Sequence, residues 1–457
     1  MARLAHQMND FVGPHPVRRE ELAASQRLSL QCFPGFREEL TEKDLLASYV
    51  PPRRGGVQVL SHRGVPVSQI GIYHSQVNLY GCPLRIASIG GVCTHPDYRG
   101  LGLATRLLET CVHKLVAEGA RLMLVSGARN LYTRLGCVAA QDFEAIVLKP
   151  TFPKGAIDSQ PAYSPATFGK VFSLRPATAA DASLCARLYQ SEAVHFVRRV
   201  EEFAEHFSRL EEFPRAEDWV VESQGQPLAY MFLGVPWEHW TFPTFPKGAI
   251  EPIPSLSFRA PMDVPIHGIS VGVREVVEYA GSRTALVAGL AQAVVQSKLA
   301  ELRLLIPRQD VDLLQLLRVH AVTGDATPLI GHTMRVVNFP RLMSDLRPYV
   351  KARLTQDQRR GLRFEQEGDR CVIVRAHERL ELDTATTTPL VMGSLAPAGV
   401  LTRITGQPGL LGTGVLAGST GVLAGSTGVL AGSTGVLAGI LSALFPLPSF
   451  LPGLNYR

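Results

Sequence analysis

Arg99, Gly100, Gly102 and Ala104 stand in the stretch RGLGLA, which follows THPDY and runs without a break into TRLLETCVHKLVAE. Two glycines just before a helix let the backbone turn so that successive N–H groups converge, and they put no side chain between that backbone and a ligand. The helix N-terminus contributes unpaired N–H groups and the positive end of its dipole. Arg99 adds a cation. This pattern predicts an anion site over Arg99–Thr105, in which Gly100 and Gly102 admit the anion and Ala104 keeps the helix start small. Leu101, Leu103 and Thr105 complete the segment that would line it.

The neighbouring elements are predicted to position that turn. A helix is expected to about Glu118, with Leu103, Leu107, Leu108, Cys111, Val112, Leu115 and Val116 as its apolar stripe and Gly119 just past its C-terminus. Upstream, residues 56–96 alternate short β-branched runs with turn residues, as an antiparallel meander does, ending in a strand over about Ile89–Thr94. Gly90 and Gly91 would permit a bulge that splays this strand from its neighbour. Glu20–Phe33 has helical spacing, Arg121–Gly127 reads as a short buried strand, and RNLYTRLGC reads as a short helix ending at Gly136.

The 457 residues suffice for two to four domains, and 46% hydrophobic against 19% charged residues describes a folded chain rather than a disordered one. The net charge of +6 is spread thinly, with no dense Lys/Arg block, which argues against nucleic acid and fits an acidic, phosphorylated cofactor. Seven cysteines without a C-x-x-C pair give no disulfide framework and no zinc site, so reduced thiols in a cytoplasmic protein are expected, without metal. The start, MARLAHQMNDFVG, lacks the apolar core of a signal peptide.

Further along, a proline-rich connector (151–170) precedes a second unit over 171–328. There a strand, a polar turn and a helix capped by Asp181 or a neighbouring threonine are followed by a hairpin centred on Gln224–Gly225 and by a helix feeding a strand. This order repeats that of 1–150, but GVREVVEYAGSRTALV carries no glycine turn with an arginine. A third unit, 329–457, holds the heptad GVLAGST three times and a partial copy over 414–439. Glycine, serine and threonine fill four of every seven positions there, which favours a low-complexity insertion over a membrane contact or a packed repeat. TFPKGAI, also seven residues, occurs identically at 151–157 and 244–250, so neither duplicated segment is expected to carry chemistry.

GVCTHPDYRGLGLATRLLE resembles the acetyl-coenzyme-A-binding motif of the GNAT N-acetyltransferases, Arg/Gln-x-x-Gly-x-Gly/Ala, carried here by Arg99, Gly102 and Ala104. The resemblance implies that the turn holds the coenzyme's pyrophosphate and that the strand before it, with Val92, Cys93 and Thr94, pairs with the pantetheine arm. The larger layout is similar to that of the enhanced-intracellular-survival-like acetyltransferases. The implied fold class is α/β (α+β): two tandem GNAT-type mixed-sheet domains, only the first with a working coenzyme site, then a sterol-carrier-protein-like α/β domain with the heptad insertion. TMRVVNFPRLM looks like the start of that third domain. The group's resemblance further implies a homo-oligomer, a trimer or a hexamer.

Acetyl transfer to an amine requires loss of a proton from the amine, N–H donors for the oxyanion and a proton for the leaving thiolate. A backbone N–H near Val92 or Cys93 would be the donor. The family's acid is a tyrosine in the short helix after the next strand, which implies Tyr132. Many GNAT enzymes place a glutamate on the strand RIASIGGV; this chain has none. In the survival-protein group the free C-terminal carboxylate enters the first site, which implies the α-carboxylate of Arg457, although an arginine ending departs from the aromatic type. His74, Glu38 and Glu39 are the alternatives. Cys93 and Cys137 have no accompanying His/Asp constellation and read as packing residues. The expected activity is acetyl-CoA-dependent transfer to a primary amine of a small molecule or an exposed lysine. Its alternatives are a protein acetyltransferase and a non-catalytic acyl-CoA sensor or lipid-binding scaffold.

Overall fold

The computed structural model describes residues 10–33, 55–126, 130–139, 143–149, 171–212, 217–234, 272–318, 332–376, 378–393 and 434–450. The strands are β1 (Phe11–Pro16), β2 (Gly55–His62), β3 (Val65–Leu79), β4 (Cys82–Thr94), β5 (Leu122–Ser126), β6 (Phe143–Leu148), β7 (Ser173–Pro176) and β8 (Val194–Phe196). They continue with β9 (Glu217–Ser223), β10 (Gln226–Gly234), β11 (Val273–Gly281), β12 (Glu301–Pro307), β13 (His332–Val336), β14 (Leu362–Glu367), β15 (Arg370–Arg375) and β16 (Glu378–Leu382).

The result is a mixed α/β protein with two large mixed sheets and a small one. The first sheet runs β1-β2-β3-β4-β5-β13, with β8 added beside β3; the second runs β7-β9-β10-β11-β12-β6; β14-β15-β16 form the third. Within the first two, β4 with β5 and β11 with β12 are the parallel pairs, and their other pairings are antiparallel. A parallel pair needs a crossover, supplied by the helices Leu103–Ala117 and Arg283–Gln296.

Sheets and sequence units recombine at two strands. β6, at the end of the first 150 residues, lies antiparallel to β12 in the second sheet, from Phe143–Pro307 to Leu148–Leu302. β13, which follows the second unit, closes the first sheet against β5, from His332–Ser126 to Val336–Leu122. Each sheet is thus completed by a strand from the other side of a sequence boundary.

Local patterning accounts for the crossover helix. Leu103, Leu107, Leu108, Cys111, Val112 and Leu115 are buried against Ile70, Ile72, Ala87 and Ile89 of the sheet. Each such side chain removed from water stabilises the fold by about 1.5–3 kcal/mol. Val116, expected in the stripe, is 38% exposed, because it lies at the rim of the packed face. Glu118 caps the helix and Gly119 follows with φ +82°, the left-handed geometry that ends helices. In the second unit, Gln224 (φ +51°) and Gly225 (φ +75°) make the hairpin turn between β9 and β10, and Thr178 and Asp181 form a reciprocal capping box before the helix Ala182–Gln190.

A large apolar core joins the far face of the first sheet (Leu84, Ile86, Leu122) to Phe196, Phe203, Tyr230 and Phe232 of the second unit and to Phe339, Leu342 and Tyr349 of the third. The last partial heptad copy, Gly435–Gly439, is part of that packing: Thr434–Leu444 is a helix, and its Leu437, Ala438, Ile440, Leu441 and Leu444 are buried in this core. The expected insertion therefore stops short of Gly439. The full heptads up to residue 433, both TFPKGAI copies, and the 151–170 connector lie outside the described residues. Among the described residues no helix is long and apolar enough to cross a membrane, and no cluster of three His, Cys, Asp or Glu side chains could hold a metal ion.

Candidate active site

The site is built around a discontinuity in β4. Gly71 of β3 stands opposite Gly90 and Gln69 opposite Cys93, so two steps along β3 face three along β4. The extra residue is a β-bulge at Gly91, whose φ of +58° is one that glycine adopts freely. On its other side β4 pairs in parallel with β5 only as far as Ile89–Val125. Gly90–Thr94 run on past that ladder, and a strand in this state offers backbone groups to an extended ligand.

Side chains distant in sequence fix these residues. Ser68 Oγ donates to the Cys93 carbonyl (3.2 Å) and meets Thr94 Oγ1 at 2.8 Å. The Thr94 carbonyl accepts from Cys32 Sγ (3.5 Å) and from Arg99 Nε (3.3 Å). His95 N–H donates to the Val67 carbonyl at 2.8 Å. Behind them, Ser25 Oγ donates to Gln69 Oε1 (2.7 Å) and Gln69 Nε2 to Ser29 Oγ (2.6 Å), a buried network that clamps the helix Leu22–Cys32 onto β3. Ser25, Ser29, Cys32, Ser68 and Gln69 were not singled out from the sequence; nothing in their spacing connects them, because each partner lies in a remote element.

From Thr94 the chain makes one 3₁₀ turn, Pro96–Tyr98, and reaches Arg99, which is extended and exposed. Tyr98 anchors this turn: its hydroxyl meets His62 Nδ1 at 3.0 Å and its ring stands edge-on to Phe11. Gly100 (φ +80°) and Gly102 (φ +74°) are both left-handed, and a Cβ on either would point into open space. Gly102 is the cap residue of the helix, and no side chain caps the first-turn N–H groups. A turn that exposes its backbone ahead of a helix start has the geometry to receive an anion, with the exposed Arg99 beside it.

Tyr132 sits in the short helix Asn130–Thr133 and is 5% exposed. It belongs to the same apolar cluster as Leu103, Val125, Val92 and Leu101, so the structure brings the short helix, the bulged strand and the glycine turn together. The Tyr132 carbonyl accepts from Leu135 and Cys137 N–H, holding the turn that ends at Gly136. His74 is not brought to this place. Its Nε2 lies 3.1 Å from Glu118 Oε2, at the end of the helix remote from the glycines, and fifteen helical residues span about 22 Å. Glu38, Glu39 and Arg457 lie outside the described residues. Cys93 and Cys137 are buried; burial pushes the Cys137 thiol up to about 12 and that of Cys93 well above the ordinary thiol value.

The second sheet also carries a bulged strand beside a parallel pair. Phe232 of β10 faces Glu278 and Leu233 faces Val276, so β11 also carries an extra residue, and its parallel ladder with β12 stops at Val276–Leu304. The helix Arg283–Gln296 then begins directly after Ser282, without a glycine loop of its own. Glu192 accepts from Gly281 N–H (2.8 Å) and from Arg283 Nη1 and Nη2 (2.8 and 2.7 Å). Asp310 accepts from Arg283 Nε at 3.1 Å and from the Tyr279 hydroxyl at 3.3 Å. The start of this helix is thus held by a carboxylate and an arginine of the chain, whereas Gly100 and Gly102 present only backbone.

Residues 14–140 match the acetyltransferase (GNAT) domain family. The chain carries a GNAT acetyltransferase domain. Its fold is shared over most of its length with solved structures: a GCN5-related N-acetyltransferase from Kribbella flavida (14% identity, 86% of this chain and 90% of that one, TM-score 0.52) and Eis1 from Mycobacterium abscessus (14%, 86% and 92%, TM-score 0.54). A probable N-acyltransferase from Enterococcus faecalis V583 is similar to the same degree (15%, 85% and 91%, TM-score 0.54). A comparison with curated protein sequences finds no match. The GNAT domain contains the bulged strand, the glycine turn and the Tyr132 helix, and its fold is one for acyl transfer.

Proposed function

We propose that the protein is an acetyl-CoA-dependent N-acetyltransferase whose acceptor is a primary amine of a small molecule or an exposed lysine. The observation that carries this reading is the continuity of three features in one segment: a bulged strand past its ladder, a double left-handed glycine turn open to solvent, and a helix start without a side-chain cap.

In this reading the N–H groups of Gly100–Thr105 and the Arg99 guanidinium bind the pyrophosphate, and Val92–Thr94 pair with the pantetheine arm. The thioester carbonyl lies by the N–H of Val92 or Cys93, which stabilises the oxyanion when the amine attacks. As the carbon–sulfur bond breaks, the Tyr132 hydroxyl gives its proton to the departing thiolate. The proton lost by the amine is assigned to the carboxylate of Arg457. Support for a tail approach comes from Phe450, 5.6 Å from Phe196 and edge-on to it, with Phe196 paired to Val77 of β3. Ser449 N–H donates to Gln309 Oε1 at 3.3 Å, a second anchor on the same stretch.

The second sheet is read as a degenerate GNAT-type copy that walls the acceptor cleft, its coenzyme position filled by Glu192 and Arg283. The third unit is read as a sterol-carrier-protein-like scaffold. The test is steady-state release of free coenzyme A from acetyl-CoA across polyamines, aminoglycosides, lysine peptides and amino acids, with the full chain and with the last four residues removed. Turnover confined to one amine class and lost on truncation is the expected result. Coenzyme binding without turnover on any amine would overturn the enzyme reading in favour of an acyl-CoA sensor.

A further inference from the structure

Acyl transfer leaves unused a pair of buried thiols beside the bulge in β4. Cys32 is the last residue of the helix Leu22–Cys32, and Cys93 follows the bulge in β4. With Leu28 and Phe33 they form a small apolar cluster of their own. Cys32 Sγ donates at 3.5 Å to the carbonyl of Thr94, the residue after Cys93, and the same oxygen accepts from Arg99 Nε at 3.3 Å.

The two thiols are electrostatically unlike. The neighbouring Cys93 thiol, and then the Arg99 charge, outweigh burial and hold the Cys32 thiol below its ordinary value. Burial, reinforced by Cys32, pushes the Cys93 thiol well up. One sulfur is thereby suited to attack as a thiolate and the other to remain protonated until it resolves the product. Elsewhere burial pushes Cys111 and Cys137 up to about 12 and raises Cys185 and Cys371 as well.

We infer that Cys32 and Cys93 form a hydroperoxide-sensitive modification site that closes to an intrachain disulfide beside the bulge in β4. The Cys32 thiolate attacks one peroxide oxygen; the sulfur–oxygen bond forms, the oxygen–oxygen bond breaks, and the departing hydroxide or alkoxide takes up a proton. Cys93 sulfur then attacks the sulfenic sulfur of Cys32. The disulfide forms, the sulfur–oxygen bond breaks, and the hydroxide leaves as water with the Cys93 proton. Two thiols lose two electrons in total and one hydroperoxide gains them. Cys32 is 3% and Cys93 5% exposed, so the site favours a small oxidant over a bulky disulfide such as glutathione disulfide.

Closure takes Cys32 sulfur from the Thr94 carbonyl and pulls on the strand that presents the Val92 and Cys93 N–H groups, so the oxidised protein binds acetyl-CoA more weakly. That consequence rests on the acetyltransferase reading; the disulfide does not. The experiment treats the full chain with graded hydrogen peroxide, blocks free thiols under denaturing conditions, and maps non-reduced peptides by mass spectrometry. A Cys32–Cys93 cross-linked peptide, two hydrogens lighter than its reduced parts, is expected at lower peroxide than oxidation of any other cysteine, and dithiothreitol reverses it. In Cys93→Ser, dimedone traps Cys32 as a sulfenic adduct; in Cys32→Ser, Cys93 stays unmodified. Reduced Cys32 and Cys93 at peroxide levels that oxidise other thiols, or a cross-link formed as readily by glutathione disulfide, overturns the proposal. Calorimetry with acetyl-CoA on the same samples reads the consequence as an affinity loss of at least tenfold. A cross-linked protein that binds as tightly as the reduced one removes the link to the coenzyme. A reduced protein that binds no acetyl-CoA overturns the acetyltransferase reading instead, and peptide mapping still decides the thiol pair.

Discussion

Arg283 grips Glu192 with both terminal nitrogens, at 2.8 and 2.7 Å, where the second sheet's helix begins. The helix that begins at Leu103 is preceded instead by Gly100 and Gly102, which present only backbone. An internal ion pair with hydrogen bonds to both partners does not yield its place to a soluble anion unless that anion compensates both charges.

On the proposed function, one acetyl-CoA is expected to bind per chain. Isothermal titration gives a stoichiometry of one, and Glu192→Ala, which leaves Arg283 paired to Asp310 alone, lowers stability by about 2 kcal/mol without creating a second site. A stoichiometry of two would refute the filled-cradle argument.

Gly102→Ala forces a Cβ onto a left-handed residue and places a methyl group where the anion would approach. The strain costs about 1 kcal/mol, and acetyl-CoA affinity falls at least tenfold. Gly64→Ala is the control, since Gly64 has φ +77° and equally open surroundings in the β2–β3 turn. Equal acetyl-CoA affinity in the two variants would show that Gly102 forms no part of an anion cradle.

Tyr132→Phe keeps the ring in its apolar cluster and removes only the hydroxyl. Turnover drops by about 10²–10³-fold while the dissociation constant for acetyl-CoA holds. Stopped-flow and equilibrium binding separate the two quantities, and unchanged turnover would reassign the acid.

Asp181 accepts from Arg175 Nη1 and Nη2 (2.8 and 2.7 Å) and from Thr178 N–H (2.9 Å). The Arg175 hydrogen bonds, foremost, hold its carboxyl below the usual range. A depressed folded value means that the contribution is whole above the ordinary carboxylate pKa of about 4 and fades as pH falls through the folded value. Asp181→Asn accordingly loses about 2 kcal/mol at pH 7, and thermal melts show the gap to wild type narrowing in acid. A gap that stays constant down to pH 2 contradicts this.

What the sequence made legible was local. The stripe from Leu103 to Leu115, the stop at Gly119, the hairpin turn at Gln224–Gly225 and the cap at Thr178–Asp181 all depend on residues within a turn or two of one another. The bulge at Gly91 was legible for the same reason, as paired glycines in a strand have few other uses. The residues that hold the site rigid were not. Ser68 with Thr94, Cys32 with Thr94 and Gln69 with Ser25 and Ser29 meet only because strands and a helix converge. The helix Thr434–Leu444 was missed because its glycine content argues against a helix, and burial among Tyr349, Phe445 and their neighbours overrides that propensity.

The exchanged strands set an order of events during synthesis. β5 is made early, but the strand that covers its outer edge, β13, leaves the ribosome only after the whole second sheet has been translated. Until then the newborn first sheet carries an unpaired, apolar edge at Leu122–Val125, a template for pairing with another nascent chain. β6, meanwhile, waits for β12. Neither sheet is complete without a strand from beyond the sequence boundary, so cutting the gene at the connector should yield two aggregating fragments rather than two domains.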